Sequence, residues 1–473
     1  MYRVIWQYGT DRMGPLDSDL VPARPLALAA GDSLFADLPL VGEAEPVFPR
    51  PPLALRADLV AMPESFRQDP LNDLAGYHHA FVEGLEEANR LRERLLNEPD
   101  VVYAEIQGRP EPPFIVDEAR HKRARIAETR VEALSLHPAP TSGYEDLQVY
   151  LNAAPAGIDA KFAWLRPGGR GQDVTIVDIE SGWNFGHEDL KEKQIGVIHG
   201  INTDSDHGTA VLGIYSGDHN AFGVTGIAAN AIAAAASATY DFVHGKWNAE
   251  AAVMYAADRL RPGDVVLLEM HAPGPNATGQ GQTGFIPVEY WQSEFAAIQY
   301  AVQRGVNVVE AGGNGGEDLD DPVYDDRFSR SNRDSGAILV GGGSSAFQAD
   351  ARSRIWWSNY GSRLDVQGWG EDIVTTGGRS RPTYHDLLDH ADPSRCYTKS
   401  FGGTSGASPI VVGAVACITG CLRAADKPVL SPGEMRRLLT ETGTPQTDGG
   451  DGAASQHIGP LPDLKAALEQ LGI

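Results

Sequence analysis

The stretch Val174-Thr-Ile-Val-Asp178-Ile-Glu-Ser-Gly182 indicates the fold of most of the chain, because an apolar strand runs into an acid and a glycine turn. Further apolar segments at 228–235, 265–268, 306–309 and 337–340 predict strands, and the stretches 249–260, 289–304, 407–421 and 432–441 predict helices. Apolar strands that alternate with helices are typical of a parallel sheet covered on both faces. We therefore expect an α/β fold with a doubly wound, mostly parallel sheet.

Composition and charge exclude several classes of protein. The 473 residues carry a formal net charge of −25, which argues against binding to nucleic acid, since phosphate affinity comes mainly from Lys and Arg. No run of 18 uninterrupted apolar residues occurs, so no membrane span is expected. The start lacks the apolar stretch of a secretory signal, and three cysteines do not form a disulfide framework. We expect a cytoplasmic protein, or one secreted without a classical signal peptide.

Two further motifs carry residues suited to chemistry. Asp206-His207-Gly208-Thr209 places a histidine at the start of an apolar helix, where a capping or core histidine is the alternative interpretation. Gly403-Thr404-Ser405-Gly406-Ala407 places a serine at the start of an Ala/Val-rich helix. A helix N-terminus offers free N–H groups and a partial positive charge to a developing oxyanion. A plain helix cap accounts for Ser405 equally, but it does not account for the small residues on either side.

In the order Asp178, His207, Ser405, these motifs resemble those of the subtilisin-like serine peptidases. The family motif Gly-Thr-Ser-Met-Ala-x-Pro corresponds to the segment 403–409, and the family motif His-Gly-Thr corresponds to 207–209. A fourth segment, 308–315, is similar to the family's strand and turn that bear the oxyanion asparagine, here Asn314. The resemblance covers about residues 145–473.

The resemblance implies a serine endopeptidase. Ser405 would be the nucleophile, His207 the base, Asp178 the acid that orients the imidazole, and Asn314 an oxyanion donor. The family usually has Thr-Gly or Ser-Gly directly after its acid, whereas Ile179 and Glu180 here precede Ser181-Gly182, so Glu180 is a rival to Asp178. The strand alternation favours Asp178.

The resemblance also implies a substrate-binding edge and the partners of the site. The segment 268–274 corresponds to the strand that pairs with substrate in the family, and the segment 308–315 lies beside the nucleophile. We expect substrate contacts from these residues: Met270, Ala272, Gly274, Gly312 and Gly313. The partner would be a protein or peptide substrate. No cofactor is required, and Ca²⁺ remains an option at the acidic loop 317–326, where a solvated acidic rim is the competing interpretation.

The first 140 residues differ in character from residues 141–473, which form the predicted peptidase domain. Helical spacing predicts a helix over 79–97, and 101–106 reads as a strand. This pattern is similar to the inhibitory and chaperoning prodomains of the family, which implies autocleavage between Gln107 and Ser142. The region would then be an intramolecular inhibitor, and a partner-binding or regulatory extension is the alternative.

Two other functions compete with the peptidase. The first is a catalytically silent binding or regulatory protein on the same fold. The second is an esterase-type hydrolase, which places its acid after the serine and uses a Gly-x-Ser-x-Gly elbow. The segment Gly403–Ala407 lacks that elbow, and its acid comes first in the chain.

Overall fold

A computed structural model of the chain describes residues 1–9, 33–35, 38–114, 141–203 and 206–473. The predicted boundary between residues 140 and 141 falls at the edge of these ranges, and the charged stretch 117–134 lies outside them.

The N-terminal region is a small antiparallel sheet with helices, as expected for an α+β region. Its strands are β1 (Tyr2–Tyr8), β2 (Glu45–Pro46), β3 (Tyr77–Val82) and β4 (Val101–Gly108), and its helices are α1 (Pro52–Ala61), α2 (Glu64–Arg67) and α3 (Leu85–Leu96). The strands lie in the order β2-β3-β1-β4. Helix α3 packs Ala88, Leu91 and Leu95 against one sheet face.

The predicted helix over 79–97 is wrong in its first part. Residues 79–82 belong to β3, which is buried along its whole length and pairs with both β1 and β2. Leu85 fits a helical spacing from Phe81, but Gly84 separates the strand from α3. The strand predicted at 101–106 is confirmed and extends to Gly108.

The larger region is built on a seven-stranded sheet. The strands of this region are β5 (Thr175–Glu180), β6 (Gln194–His199), β7 (Ile232–Ser237), β8 (Thr239–Asp241), β9 (Lys246–Trp247), β10 (Val265–Leu268), β11 (His271–Pro273), β12 (Phe285–Pro287), β13 (Asn307–Ala311), β14 (Ile338–Gly343), β15 (Val366–Trp369), β16 (Ile373–Thr376) and β17 (Tyr397–Phe401). The sheet has the order β15-β14-β13-β10-β5-β7-β6, and every neighbouring pair in it is parallel, which confirms the predicted sheet.

Helices cover both faces of this sheet. They are α4 (Ala160–Ala163), α5 (Asp206–Ser216), α6 (Ala249–Ala257), α7 (Gln292–Gln303), α8 (Thr404–Ala424), α9 (Pro432–Thr442) and α10 (Leu464–Gln470). Successive strand residues face opposite sides, so Ile176 packs in the core of α5 and α8, and Val177 packs in the core of α6 and α7. The doubly wound arrangement follows from this alternation.

Helix α8 runs through the centre of the molecule. Within the described ranges it is the one helix long and apolar enough to cross a membrane by length and composition, and its apolar window is completely buried in the protein. This burial is that of a core helix. Pro409 is the sixth residue of this helix and lies inside it, so its missing N–H leaves the Ser405 carbonyl without its intrahelical hydrogen bond.

Candidate active site

A serine, a histidine and a glutamate form a continuous hydrogen-bonded chain at the C-terminal end of the central sheet. His207 Nε2 lies 2.9 Å from Ser405 Oγ, and His207 Nδ1 lies 2.8 Å from Glu180 Oε2. Glu180 ends β5, His207 is the second residue of α5, and Ser405 is the second residue of α8. All three side chains are almost fully buried.

The predicted contact between Asp178 and His207 is wrong, because Glu180 occupies that position. Asp178 and Glu180 lie two residues apart on β5, so the strand alternation places both on the same face and could not separate them. Glu180 is nearer the end of the strand and has one more methylene. Asp178 lies deeper, where its Oδ2 accepts a hydrogen bond of 2.6 Å from Trp183 Nε1.

The histidine reaches the site because α5 packs closely against the turn that follows β5. A Cβ atom at Gly208 would lie 2.3 Å from the Gly182 carbonyl oxygen and 2.4 Å from the Trp183 ring. Thr209 continues the contact, since its Oγ1 accepts a hydrogen bond of 2.8 Å from the Asn184 N–H. The glycine after His207 therefore allows the helix to approach the acid.

The Pro113 carbonyl can approach the serine closely because Gly403, two residues before the serine, has no side chain. Gly403 has φ +91°, and a Cβ atom there would lie 2.2 Å from the Pro113 carbonyl oxygen. Ser405 then begins α8 with its N–H among the free donors of the first turn. The small residues before Ser405 thus clear space for a carbonyl group.

Asn314 is oriented by the residue that precedes the serine. Its Oδ1 accepts hydrogen bonds of 2.9 Å from both the N–H and the hydroxyl of Thr404. This arrangement turns the Nδ2 group toward the cleft, where it donates to the Phe114 carbonyl oxygen at 3.0 Å. The Asn314 N–H donates to His271 Nδ1 at 3.2 Å. Burial lowers the pKa of His271 to about 3, so the ring is neutral and can accept this bond.

The segment Arg109–Phe114 lies in the cleft in an extended form. Glu111 and His271 form an antiparallel bridge with hydrogen bonds of 2.9 and 3.0 Å. Gln282 Nε2 donates to the Pro112 carbonyl at 2.9 Å, and Ser405 Oγ lies 2.8 Å from the Pro113 carbonyl oxygen. The N-terminal region therefore contacts Ser405 itself.

The predicted substrate-binding residues lie in two groups. Met270 lines a cavity of about 180 Å³ beneath residues 109–112, and Ala272 and the neighbouring Gly274 lie in or beside the β11–β12 hairpin. Gly312 and Gly313 lie behind Asn314, where their N–H groups donate to the Val340 carbonyl and to Thr404 Oγ1. His271, between Met270 and Ala272, forms the bridge to the cleft segment.

Carboxyl groups on the acid side of the site differ in their electrostatics. Burial raises the pKa of Asp178 well above its usual value, and the neighbouring charge of Glu180 adds to the rise. Burial also raises the pKa of Glu269 to about 8. A pKa of about 8 leaves Glu269 mostly protonated at neutral pH, and the raised pKa of Asp178 favours the neutral form of that group as well.

The acidic loop after Asn314 does not fit a calcium ion. Calcium takes six to eight oxygen ligands. Asp320 accepts hydrogen bonds from Ser362, and the Asp318 and Asp321 carboxylates cap nearby backbone N–H groups. Within the described ranges there is no group of three or more Asp, Glu, His or Cys residues that could hold a metal ion.

Sequence reasoning named Glu180 only as a rival to Asp178, on the signal of the Ser181-Gly182 pair directly after it, and it missed two other features of the site. Nothing in the composition of 109–114 indicated that this segment lies on the serine. The roles of His271 and Gln282 come from a hairpin whose loop has no distinctive pattern.

Comparisons with known proteins found similar sequences. A family model described as the subtilase family, peptidase S8, matches residues 169–460. A thermophilic serine proteinase from Bacillus sp. (strain AK1) is 28% identical over 274 residues, which cover 56% of this chain and 56% of that protein.

Solved structures show the same fold at low sequence identity. Fervidolysin from Fervidobacterium pennivorans, a keratinolytic enzyme related to subtilisin, has a TM-score of 0.54 at 19% identity and covers 84% of this chain. A lanthipeptide protease has a TM-score of 0.50 at 19% identity, covering 69% of this chain and 96% of that one. The chain spans 56% of the length of fervidolysin, as it does of the Bacillus proteinase.

Proposed function

Because the chain belongs to the subtilase family, we propose that it is a serine endopeptidase that hydrolyses peptide bonds through Ser405, His207 and Glu180. The observation that carries the proposal is the continuous chain from the serine hydroxyl through the imidazole to the carboxylate, with contacts of 2.9 and 2.8 Å. A hydroxyl is a weak nucleophile without such a base.

Catalysis begins when Ser405 Oγ attacks the carbonyl carbon of the scissile bond. His207 Nε2 takes the hydroxyl proton as the Oγ–C bond forms, and it later gives that proton to the leaving amine as the C–N bond breaks. Water then attacks the acyl-enzyme, with His207 again as the base, and the proton returns to Ser405 Oγ as the acid product leaves. Asn314 Nδ2 and the Ser405 N–H donate to the oxyanion during both steps.

Glu180 keeps the imidazole in the tautomer that can accept the serine proton. Its carboxylate accepts the Nδ1–H of His207 and stabilises the imidazolium that forms in the transition state. Burial and the neighbouring charge of Glu180 raise the pKa of Asp178, which favours a neutral group beside the Glu180 carboxylate.

The N-terminal region is also proposed to inhibit the site and to be its first substrate. The segment 109–114 pairs with His271 as an added strand, the mode in which an extended peptide binds a sheet edge. The Phe114 carbonyl oxygen accepts from Asn314 Nδ2, which is the position of a scissile carbonyl. We therefore expect self-cleavage of the bond between Phe114 and Ile115, inside the window predicted from the sequence.

Cleavage at this bond leaves the N-terminal region firmly attached. Arg3 on β1 and Glu250 on α6 form a fully buried ion pair of 2.9 Å, and Glu105 Oε1 accepts from the N–H of Gln292 at the start of α7. The N-terminal region is thus expected to remain bound as an inhibitor after its chain is cut.

The alternative of a catalytically silent protein on the same fold is not favoured, since the site has a complete nucleophile, base and acid. The discriminating experiment is labelling with a fluorophosphonate probe, followed by peptide mapping of the labelled residue. Wild type should be labelled at Ser405, Ser405→Ala should not be labelled, and the exposed-site control Ser331→Ala should be labelled like wild type. Unlabelled Ser405 in protein freed of its N-terminal region would overturn the proposal.

A further inference from the structure

Glu269 is a buried carboxyl group that the mechanism above does not use. It follows β10, which pairs in parallel with β5 so that Leu268 lies opposite Ile179. Its N–H donates to the Ile179 carbonyl at 3.0 Å, and its side chain is completely buried. Burial raises the pKa of this carboxyl group, and the nearby His207 ring and Ser405 hydroxyl lower it. Glu269 therefore lies at the sheet edge that holds the proposed catalytic groups.

The two contacts of Ser408 constrain the form of Glu269 that the site can contain. Ser408 Oγ lies 2.7 Å from the Thr404 carbonyl oxygen and 2.7 Å from Glu269 Oε2. A serine hydroxyl has one hydrogen, and a carbonyl oxygen can only accept. When that hydrogen is donated to Thr404, the contact with Glu269 requires a proton on the carboxyl group.

The other carboxyl oxygen points to the same conclusion. Glu269 Oε1 is buried and has no hydrogen-bond partner among the described residues. An ionised carboxylate buried with so few hydrogen-bond donors is costly, whereas a neutral carboxyl group in the same position costs much less. A protonated side chain therefore accounts for both oxygens.

Ser408 connects this carboxyl group to the reacting atoms. It lies one helical turn after Thr404, whose N–H and hydroxyl hold Asn314 Oδ1. Ser405 is one of the three residues between them, in the first turn of α8. A bond from Glu269 to Ser408 thus fixes the turn that positions both the nucleophile and the oxyanion donor.

We propose that Glu269 is a positioning residue that works in its protonated form, donating to Ser408 Oγ, and that its ionisation switches catalysis off. The inference rests on the proposed function of Ser405. Ionisation would remove the donated hydrogen bond and place a negative charge beside the developing oxyanion. Protonation restores both, so the switch is reversible.

The surroundings determine the direction of the pH effect. Burial raises the pKa of Glu269 to about 8, so the active form persists through neutral pH and is lost as the pH rises through that value. Titratable and hydroxyl groups face it or lie beside it on each neighbouring element: Asp178 and Glu180 of β5, His207 and Tyr215 of α5, Ser405 and Ser408 of α8, and His271 of β11. Ionisation of Glu269 therefore adds charge to an already acidic cluster.

The test is the pH profile of kcat for wild type and Glu269→Gln with a soluble peptide substrate. In wild type, kcat should fall with a midpoint near pH 8. The glutamine amide can donate to Ser408 but cannot ionise, so Glu269→Gln should lose no more than about tenfold in kcat at neutral pH, and the alkaline fall should disappear. An alkaline fall with the wild-type midpoint in Glu269→Gln would overturn the proposal.

Ser408→Ala provides a second test, which does not depend on the folding of Glu269→Gln. The measurement is again the pH midpoint of the alkaline fall in kcat. If Glu269 donates to Ser408, loss of the acceptor destabilises the neutral carboxyl group, and the midpoint should move to lower pH. A midpoint that moves to higher pH would show that Ser408 donates to an ionised carboxylate, and would overturn the proposal.

Fluorophosphonate titration of Ser405 in each sample separates this inference from the proposed function. If wild type neither cleaves its own chain, nor reacts with the probe, nor turns over substrate, the proposed function fails, and the inference fails with it. If wild type reacts and turns over while its alkaline limb is the same as that of Glu269→Gln, only the role of Glu269 fails.

Discussion

The residues on the two sides of the His207 ring differ in size and in charge. On the serine side, small residues and backbone groups leave room: Gly403 admits a carbonyl, and Asn314 Oδ1 is held by Thr404. On the acid side, side chains fill the space, and the carboxyl groups of Asp178, Glu180 and Glu269 lie close together. One side is open to substrate, and the other is a closed acidic cluster.

The difference shows how one carboxylate can be selected from several. Burial favours the neutral form of a carboxyl group unless a cation or several donors compensate its charge. Glu180 has the imidazole as its partner, whereas the side chain of Asp178 accepts from an indole N–H. The cluster therefore concentrates its charge on the group that contacts His207, and substitutions on the two sides should differ in a predictable order.

The largest effect in this comparison is expected for Glu180→Gln. An amide in place of the acid favours the wrong imidazole tautomer, and the equivalent change in a Ser-His-Asp triad lowers kcat by about 10⁴. Steady-state kinetics on protein freed of its N-terminal region measures the effect. Glu192→Gln, at an exposed site, is the matched control. If Glu180→Gln lowers kcat by less than about tenfold, another acid orients His207.

An intermediate effect is expected for Asn314→Ala on the serine side. Loss of one oxyanion donor lowers kcat by about 10²–10³ with little change in KM. The variant also removes the acceptor of the Thr404 N–H, so a melting curve should accompany the kinetics. Asn332→Ala, at an exposed site, is the control. An unchanged kcat would show that Asn314 does not donate to the oxyanion.

The smallest effect is expected for Asp178→Asn. Burial raises the pKa of Asp178 well above its usual value and so favours its neutral form, and an asparagine oxygen can accept the Trp183 Nε1–H in its place. We expect kcat/KM within about tenfold of wild type, comparable to the cost of one altered hydrogen bond. A loss as large as that of Glu180→Gln would show that both carboxyl groups act on His207.

The serine side could be predicted from the sequence because few local structures need its combination of residue types. Glycines on both sides of a serine at a helix start predict the local structure of the segment 403–407, and the apolar strands predict the parallel sheet. The acid side could not be predicted in the same way, because Asp178 and Glu180 share one face of β5, and only the reach of the side chain separates them.

Long-range contacts account for the other differences between sequence and structure. The first part of the predicted helix over 79–97 is the strand β3, since pairing with β1 and β2 outweighs a helical spacing that is accidental. The edge strand β6 is half-exposed and carries Gly196, so it lacks the apolar pattern that identified its neighbours. The position of 109–114 in the cleft depends on contacts with His271 and Gln282, which are distant in the sequence.

The most direct test is an intact-mass time course of purified wild type and Ser405→Ala, both as the full chain of 473 residues. Wild type should convert into two chains that end and begin at Phe114 and Ile115 and that elute together under native conditions. Ser405→Ala should keep its full mass. Cleavage of both proteins at the same bond and rate would contradict the assignment of Ser405 as the nucleophile.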